Sequence, residues 1–124
     1  VNFWLLTAAI NGFVAVAAGA FAAHGLEGRI DSHALDIFET GARYEMYHAL
    51  AIAIAAFAAR GAATGPARAA AALFLGGIAL FSGSLYLLAL TNIRALGFIT
   101  PFGGLCFLAG WAFLGYAALK LKIG

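Results

Sequence analysis

His24 and His48 are the imidazoles best placed to do chemistry in this chain, and Arg43, Tyr44, Glu45 and Tyr47 crowd around the second. The first lies in Gly19-Ala20-Phe21-Ala22-Ala23-His24-Gly25-Leu26. The second closes Phe38-Glu39-Thr40-Gly41-Ala42-Arg43-Tyr44-Glu45-Met46-Tyr47-His48-Ala49-Leu50. Tyr44 and His48 are four apart and therefore share a helix face. Three chemistries suit such a set. In the first, the imidazoles hydrogen-bond loop carbonyls and the acids Glu45 or Glu39, tying a loop to the rest of the molecule. In the second, His24, Tyr44, Tyr47, His48, Ser84 and Tyr86 offer hydrogen-bonding groups to a small amphiphile or lipid headgroup, with Arg43 neutralising an anion. In the third, the two imidazoles ligate haem or a metal. Two histidines are the minimum for axial haem ligation, but a closed zinc site needs further ligands that only Glu45 is near enough in sequence to supply.

Other reaction chemistry has no motif here. There is no His-Glu-x-x-His, no Gly-x-Ser-x-Gly and no phosphate-loop lysine. Ser82, Ser84 and Thr7 read as helix-packing hydroxyls. The expectation is therefore a protein that is not an enzyme, with no resident cofactor or metal. A single cysteine, Cys106, excludes an internal disulfide and a cysteine metal cage. A formal net charge of +2 without a Lys/Arg cluster excludes a nucleic-acid surface.

The elements that must position these groups are membrane helices. Hydrophobic residues make up 65% and charged residues 10% of the chain, with a mean hydropathy of +0.98. A soluble domain, nearer a quarter charged, needs more polar surface than that. Apolar runs over about 3–23, 43–60, 69–90 and 98–119 each approach the roughly 20 residues that cross a bilayer. The first has no basic flank and is long for a secretory signal, so it reads as a retained span. Short loops around 60–68 and 91–97 force antiparallel neighbours. The expected fold class is all-α, a four-helix up-down transmembrane bundle forming one domain over 1–124.

Asp31 offers an N-cap, and Leu35 and Phe38 share a face, so an amphipathic helical segment starts near Ser32 and runs into the second span. The segment can bend at Gly41, and Phe38 is expected to dip into the lipid or protein interface as an anchor. His48 then lies about 7 Å inside the point of entry near Arg43. Arg60, Arg68, Lys120 and Lys122 fall on one side of the membrane and Arg29, Arg43 and Arg94 on the other. That bias puts both termini in the cytoplasm. All five acids lie between Glu27 and Glu45, on the opposite side or the approach to it.

Small residues recur at helical spacing. Gly12, Ala15 and Gly19 fall on one seam of the first span, Gly76 and Gly83 on one of the third, Gly103 and Gly110 on one of the fourth. In lipid, helices associate through such close backbone approach. These seams are expected to pack the bundle, or to receive a membrane-protein partner or a second copy of the chain.

The two motifs quoted above, with Phe81-Ser82-Gly83-Ser84-Leu85-Tyr86 and Ile99-Thr100-Pro101-Phe102-Gly103-Gly104, resemble the small multi-pass membrane family catalogued as domain of unknown function 423. The match runs in order over most of the chain. Glu45 departs from it, since relatives usually carry Gln there, and adds a negative charge beside the histidines. The resemblance implies a four-helix protein, with bacterial members in the inner membrane. It also points to His24, Tyr44, His48, Ser84, Tyr86 and Pro101 as the positions to test, and it carries no activity. The expected function is that of a non-enzymatic accessory or scaffold protein acting through a partner or homo-oligomer. The alternative is a binder of a lipid, quinone-like or other small amphiphile in an outer-leaflet His/Tyr pocket.

Overall fold

The computed structural model describes residues 1–122, and they form four helical runs. Helix α1 spans Phe3–Phe21 and ends in a π-helical turn over Ala22–Leu26. Helix α2 spans Ser32–Ala58. The third run begins with a 3-10 turn, Gly61–Ala63, continues as α3, Thr64–Gly77, widens into a π-turn over Ile78–Ser82, and closes as α4, Gly83–Thr91. The last run is a 3-10 turn, Arg94–Phe98, followed by α5, Thr100–Lys120. No strand occurs among the described residues.

Three of the four runs are long and apolar enough to cross a membrane: Phe3–Leu26, Gly61–Thr91 and Arg94–Lys120. The run containing α2 is not, because its first two-thirds carry Asp36, Glu39, Arg43, Glu45 and His48. Those side chains divide by direction. Glu45 and His48 are each 4% exposed and turned into the molecule, while Arg43 and Asp36 are exposed.

Helix ends follow local chemistry. Asn2 Oδ1 accepts from the Leu5 N–H and starts α1. Asp31 Oδ1 accepts from the Ala34 N–H at 2.7 Å and starts α2. Asn92, in the left-handed region at φ 56°, stops α4. Pro101 stands in the first turn of α5, where its missing N–H costs nothing.

Helix α2 is the centre of the molecule. Its buried stripe, Phe38, Gly41, Ala42, Glu45, His48, Ala49, Ile52 and Ala55, advances by three or four residues. It packs on α1 along one side and on α3 and α4 along the other, and α5 packs on α3. The core is built from small side chains, Ala8, Ala51, Ala55, Ala70 and Ala71, around Ile52, Phe74, Ile78 and Phe107. Close approach of such residues maximises dispersion contact where lipid leaves little hydrophobic drive.

Three sequence expectations are refined by this packing. Helix α2 runs unbroken through Gly41. The glycine serves instead as a seat for Tyr86, whose Cε1 lies 3.0 Å from where a Cβ would be. Of the two interfaces expected for Phe38 it takes the protein one: it is 5% exposed, packed with Ala22, Leu26 and Ala89, and its ring lies 4.8 Å from that of Tyr86. The glycine seams are also redistributed. A Cβ on Gly12, Gly19 or Gly76 meets nothing within 4 Å, and one on Gly83 meets only a carbonyl of its own run, that of Ile78. In α1 the buried positions are Ala8 and Ala15, followed by Ala22 at the start of the π-turn.

Gly103 and Gly110 lie at close contacts with the backbone of Phe81 and the ring of Phe74. Gly77, one residue beyond the expected seam, receives the ring of Phe107. Phe74, Gly77 and Phe81, three and four residues apart, form the face that meets α5, and Gly76 lies off it.

Candidate functional site: an aromatic groove over His48

Two helices that both lean on the third run but touch each other little leave a groove between them. Helices α2 and α5 do this. The groove measures about 630 Å³ and is lined by Tyr44, Tyr47, His48, Phe81, Pro101, Gly104, Leu105, Phe107, Leu108 and Trp111. Tyr47 and Trp111 are about half exposed at its mouth, and His48 and Phe107 form its buried floor.

His48 is held on every side. Its ring stacks on Phe107 at 3.5 Å and 5°, with Phe74 at 5.5 Å and Trp111 edge-on at 5.9 Å. Nδ1 lies 2.8 Å from the Tyr44 carbonyl, which can only accept. The indole Nε1–H of Trp111, which can only donate, reaches Nε2 at 3.1 Å. The two partners together require the neutral tautomer with its hydrogen on Nδ1. Both nitrogens are then in use, so no lone pair is left for iron or zinc.

His24 does not share this site. It is exposed in the turn after α1 and does not line the groove. Among the described residues no group of three or more His, Cys, Asp or Glu is placed to hold a metal ion. Ligation by a His24/His48 pair has no support in this geometry.

The remaining candidates divide into separate contacts. Tyr86 O–H donates to Glu45 Oε1 at 2.8 Å, joining α4 to α2 away from the groove. Ser82 O–H donates to the Gly41 carbonyl at 2.7 Å. Ser84 bonds the Phe81 carbonyl at 3.0 Å and the hydroxyl of Thr100, linking α4 to α5. Arg43 donates to Thr40 Oγ1 at 3.1 Å. It lines a different, smaller cleft with Ala15, Gly19, Glu39, Ala42 and Met46. The structure thus brings Tyr44, Tyr47 and His48 together, and leaves His24, Arg43, Ser84 and Tyr86 elsewhere.

Sequence reasoning missed Trp111, Phe107 and Phe81. A signal for the first was present: an indole N–H inside an apolar helix must find an acceptor, and few side chains here offer one.

A family model described as "Protein of unknown function (DUF423)" matches residues 18–104, which take in α2, α3, α4 and the first turn of α5. The chain belongs to this family. Among its relatives, the UPF0382 membrane protein YwdK of Bacillus subtilis (strain 168) is 46% identical over 118 residues, covering 94% of this chain and 96% of that protein. A UPF0382 membrane protein of Haemophilus influenzae is 44% identical, covering 98% and 97%. The UPF0382 inner membrane protein YgdD of Escherichia coli (strain K12) is 42% identical, covering 98% and 92%. No solved structure matches the chain. With these relatives and three apolar helices of spanning length, the DUF423 chain is a membrane protein of a family whose function is unknown.

Proposed function

We propose that this is a four-span, multi-pass inner-membrane protein that binds a lipid-like or quinone-like amphiphile in the groove between α2 and α5, without catalysing a reaction on it. The fourth span is α2. Its composition is the least apolar, but Glu45 and His48 point inward and are hydrogen-bonded, so a bilayer meets mainly its apolar residues. The bundle runs up and down, with Arg60, Arg68, Lys120 and Lys122 at one end. That end is the cytoplasmic one and holds both termini, so the groove lies towards the outer leaflet.

The observation that carries the binding reading is the groove itself. It has about 630 Å³ of open space beside a histidine whose nitrogens are both occupied. Its walls are rings, Leu105 and Leu108, so a guest is held by stacking and apolar contact. The test is native mass spectrometry with an absorption spectrum on protein purified in mild detergent. Wild-type protein is expected to retain an organic mass that Gly104→Leu, which fills the groove from an open position, does not. Identical apo masses for both would sink the reading.

A second reading, an accessory or scaffold role through a membrane partner or a second copy, is favoured by the free side of α1. Gly12 and Gly19 weaken a helix without serving a contact inside the chain. Cross-linking in membranes, lost in Gly12→Leu, tests it.

A further inference from the structure

The end of the molecule remote from the acidic residues carries a basic cleft. It measures about 320 Å³ and is lined by Arg60, Gly61, Ala62, Lys120 and Lys122, with no acid in its wall. We propose that this cleft binds a phosphate group, as borne by the headgroup of an anionic membrane lipid.

The fold builds the cleft rather than leaving the charges to a loose tail. Gly61, at φ +56°, reverses the chain after α2. The turn it begins is packed down by Ala58, Ala63, Ala67 and Ala117, which form a cluster of their own with Leu114 and Leu121. That cluster fixes the start of the third run against the end of α5, and so fixes Arg60 against Lys120. Arg60 is rooted through Nε, which donates to the Phe57 carbonyl at 3.2 Å and orients the guanidinium fork. Lys120 rests its ammonium 5.5 Å from the centre of the Tyr116 ring. Three cationic side chains of different reach therefore surround one space at a helix end.

All five acids, Glu27, Asp31, Asp36, Glu39 and Glu45, belong to the other end of the bundle or the approach to it, so no acidic side chain competes for the cleft. A guanidinium fork with flanking ammonium groups is the arrangement that recognises a phosphate oxyanion. Basic pockets between helices at the membrane surface take lipid headgroups by this chemistry. The site is separate from the groove over His48, and neither proposal depends on the other.

The experiment is native mass spectrometry of the detergent-solubilised protein, titrated with phosphatidylglycerol, cardiolipin or phosphatidylcholine. One anionic lipid per chain is expected to be retained, and phosphatidylcholine is not. At about fivefold per charge removed, Arg60→Gln/Lys120→Gln/Lys122→Gln weakens retention about a hundredfold. Lys120→Gln/Lys122→Gln, which keeps the Arg60 bond to Phe57, weakens it about twentyfold to thirtyfold. Helical circular dichroism on each variant excludes loss of fold.

Arg68→Gln is the control, since Arg68 lies at the same end but lines a different cleft, beside Trp4. Retention that ignores headgroup charge, or that falls as much in Arg68→Gln as in the double variant, overturns the proposal. A final arm adds pyrophosphate at millimolar concentration. Displacement of the lipid names a soluble phosphate compound as a competent ligand of the same site, and persistence names the lipid. Either result keeps the phosphate site.

Discussion

The indole N–H of Trp111 on α5 donates to Nε2 of His48 on α2 across the wall of the groove, at 3.1 Å. With the Tyr44 carbonyl at Nδ1, this bond decides what the histidine can do. It is a neutral, doubly bonded member of an aromatic box, and by this bond and its stacking on Phe107 it joins two helices that otherwise pack mainly through the third run.

Trp111→Phe removes the donor and leaves Nε2 of a buried imidazole without a partner. The cost is expected to be about 1–3 kcal/mol. His48→Phe/Trp111→Phe removes both ends of the bond, so its cost should fall clearly short of the sum of the single substitutions. Unfolding by sodium dodecyl sulfate titration in mixed micelles measures the cycle. Additive costs would mean that the bond contributes nothing.

The Tyr86–Glu45 contact predicts an asymmetry. Tyr86→Phe strips the buried carboxyl of its donor and is expected to destabilise by about 1–3 kcal/mol. Glu45→Gln keeps an amide oxygen in place to accept from Tyr86, and is expected to stay within about 1 kcal/mol of wild type. The same micelle titration separates them. A larger loss in Glu45→Gln would show that the carboxyl itself is required.

Two glycines on different helices should respond in opposite ways to one added methyl group. At Gly103 a Cβ would lie 2.8 Å from Phe81 Cα, so Gly103→Ala must push α5 off the π-turn, at about 1–3 kcal/mol. At Gly12 a Cβ meets nothing, and Gly12→Ala is expected to gain about 0.5–1 kcal/mol from helix propensity. Thermal melting in detergent reads both, and equal destabilisation would put a contact on α1 that the chain by itself does not make.

Trp111 is also a reporter. It is 46% exposed and lines the groove, so a short-chain quinone should quench its fluorescence saturably in a Trp4→Phe background. Gly104→Leu is expected to make the quenching weak and linear in concentration. Saturable quenching that survives Gly104→Leu would place the ligand elsewhere.

By itself, the sequence determined the properties that depend on local chemistry. Hydropathy marked three apolar runs of spanning length, Asp31 and Pro101 marked helix starts, and the spacing of Tyr44 and His48 put both on one face of α2. The charges were already divided between the two ends, because order along a hairpin of helices maps directly onto depth. Only the tertiary structure decided which faces meet. Nothing local says that Trp111 faces His48, or that His24 faces solvent. Nor does the pattern of small residues say which face of α3 meets α5: the close contact falls on Gly77, and Gly76 faces open space. Small residues permit close approach without naming a partner, so Gly103 and Gly12 look alike in the sequence. They differ only because α5 has a neighbour along that face and α1 does not.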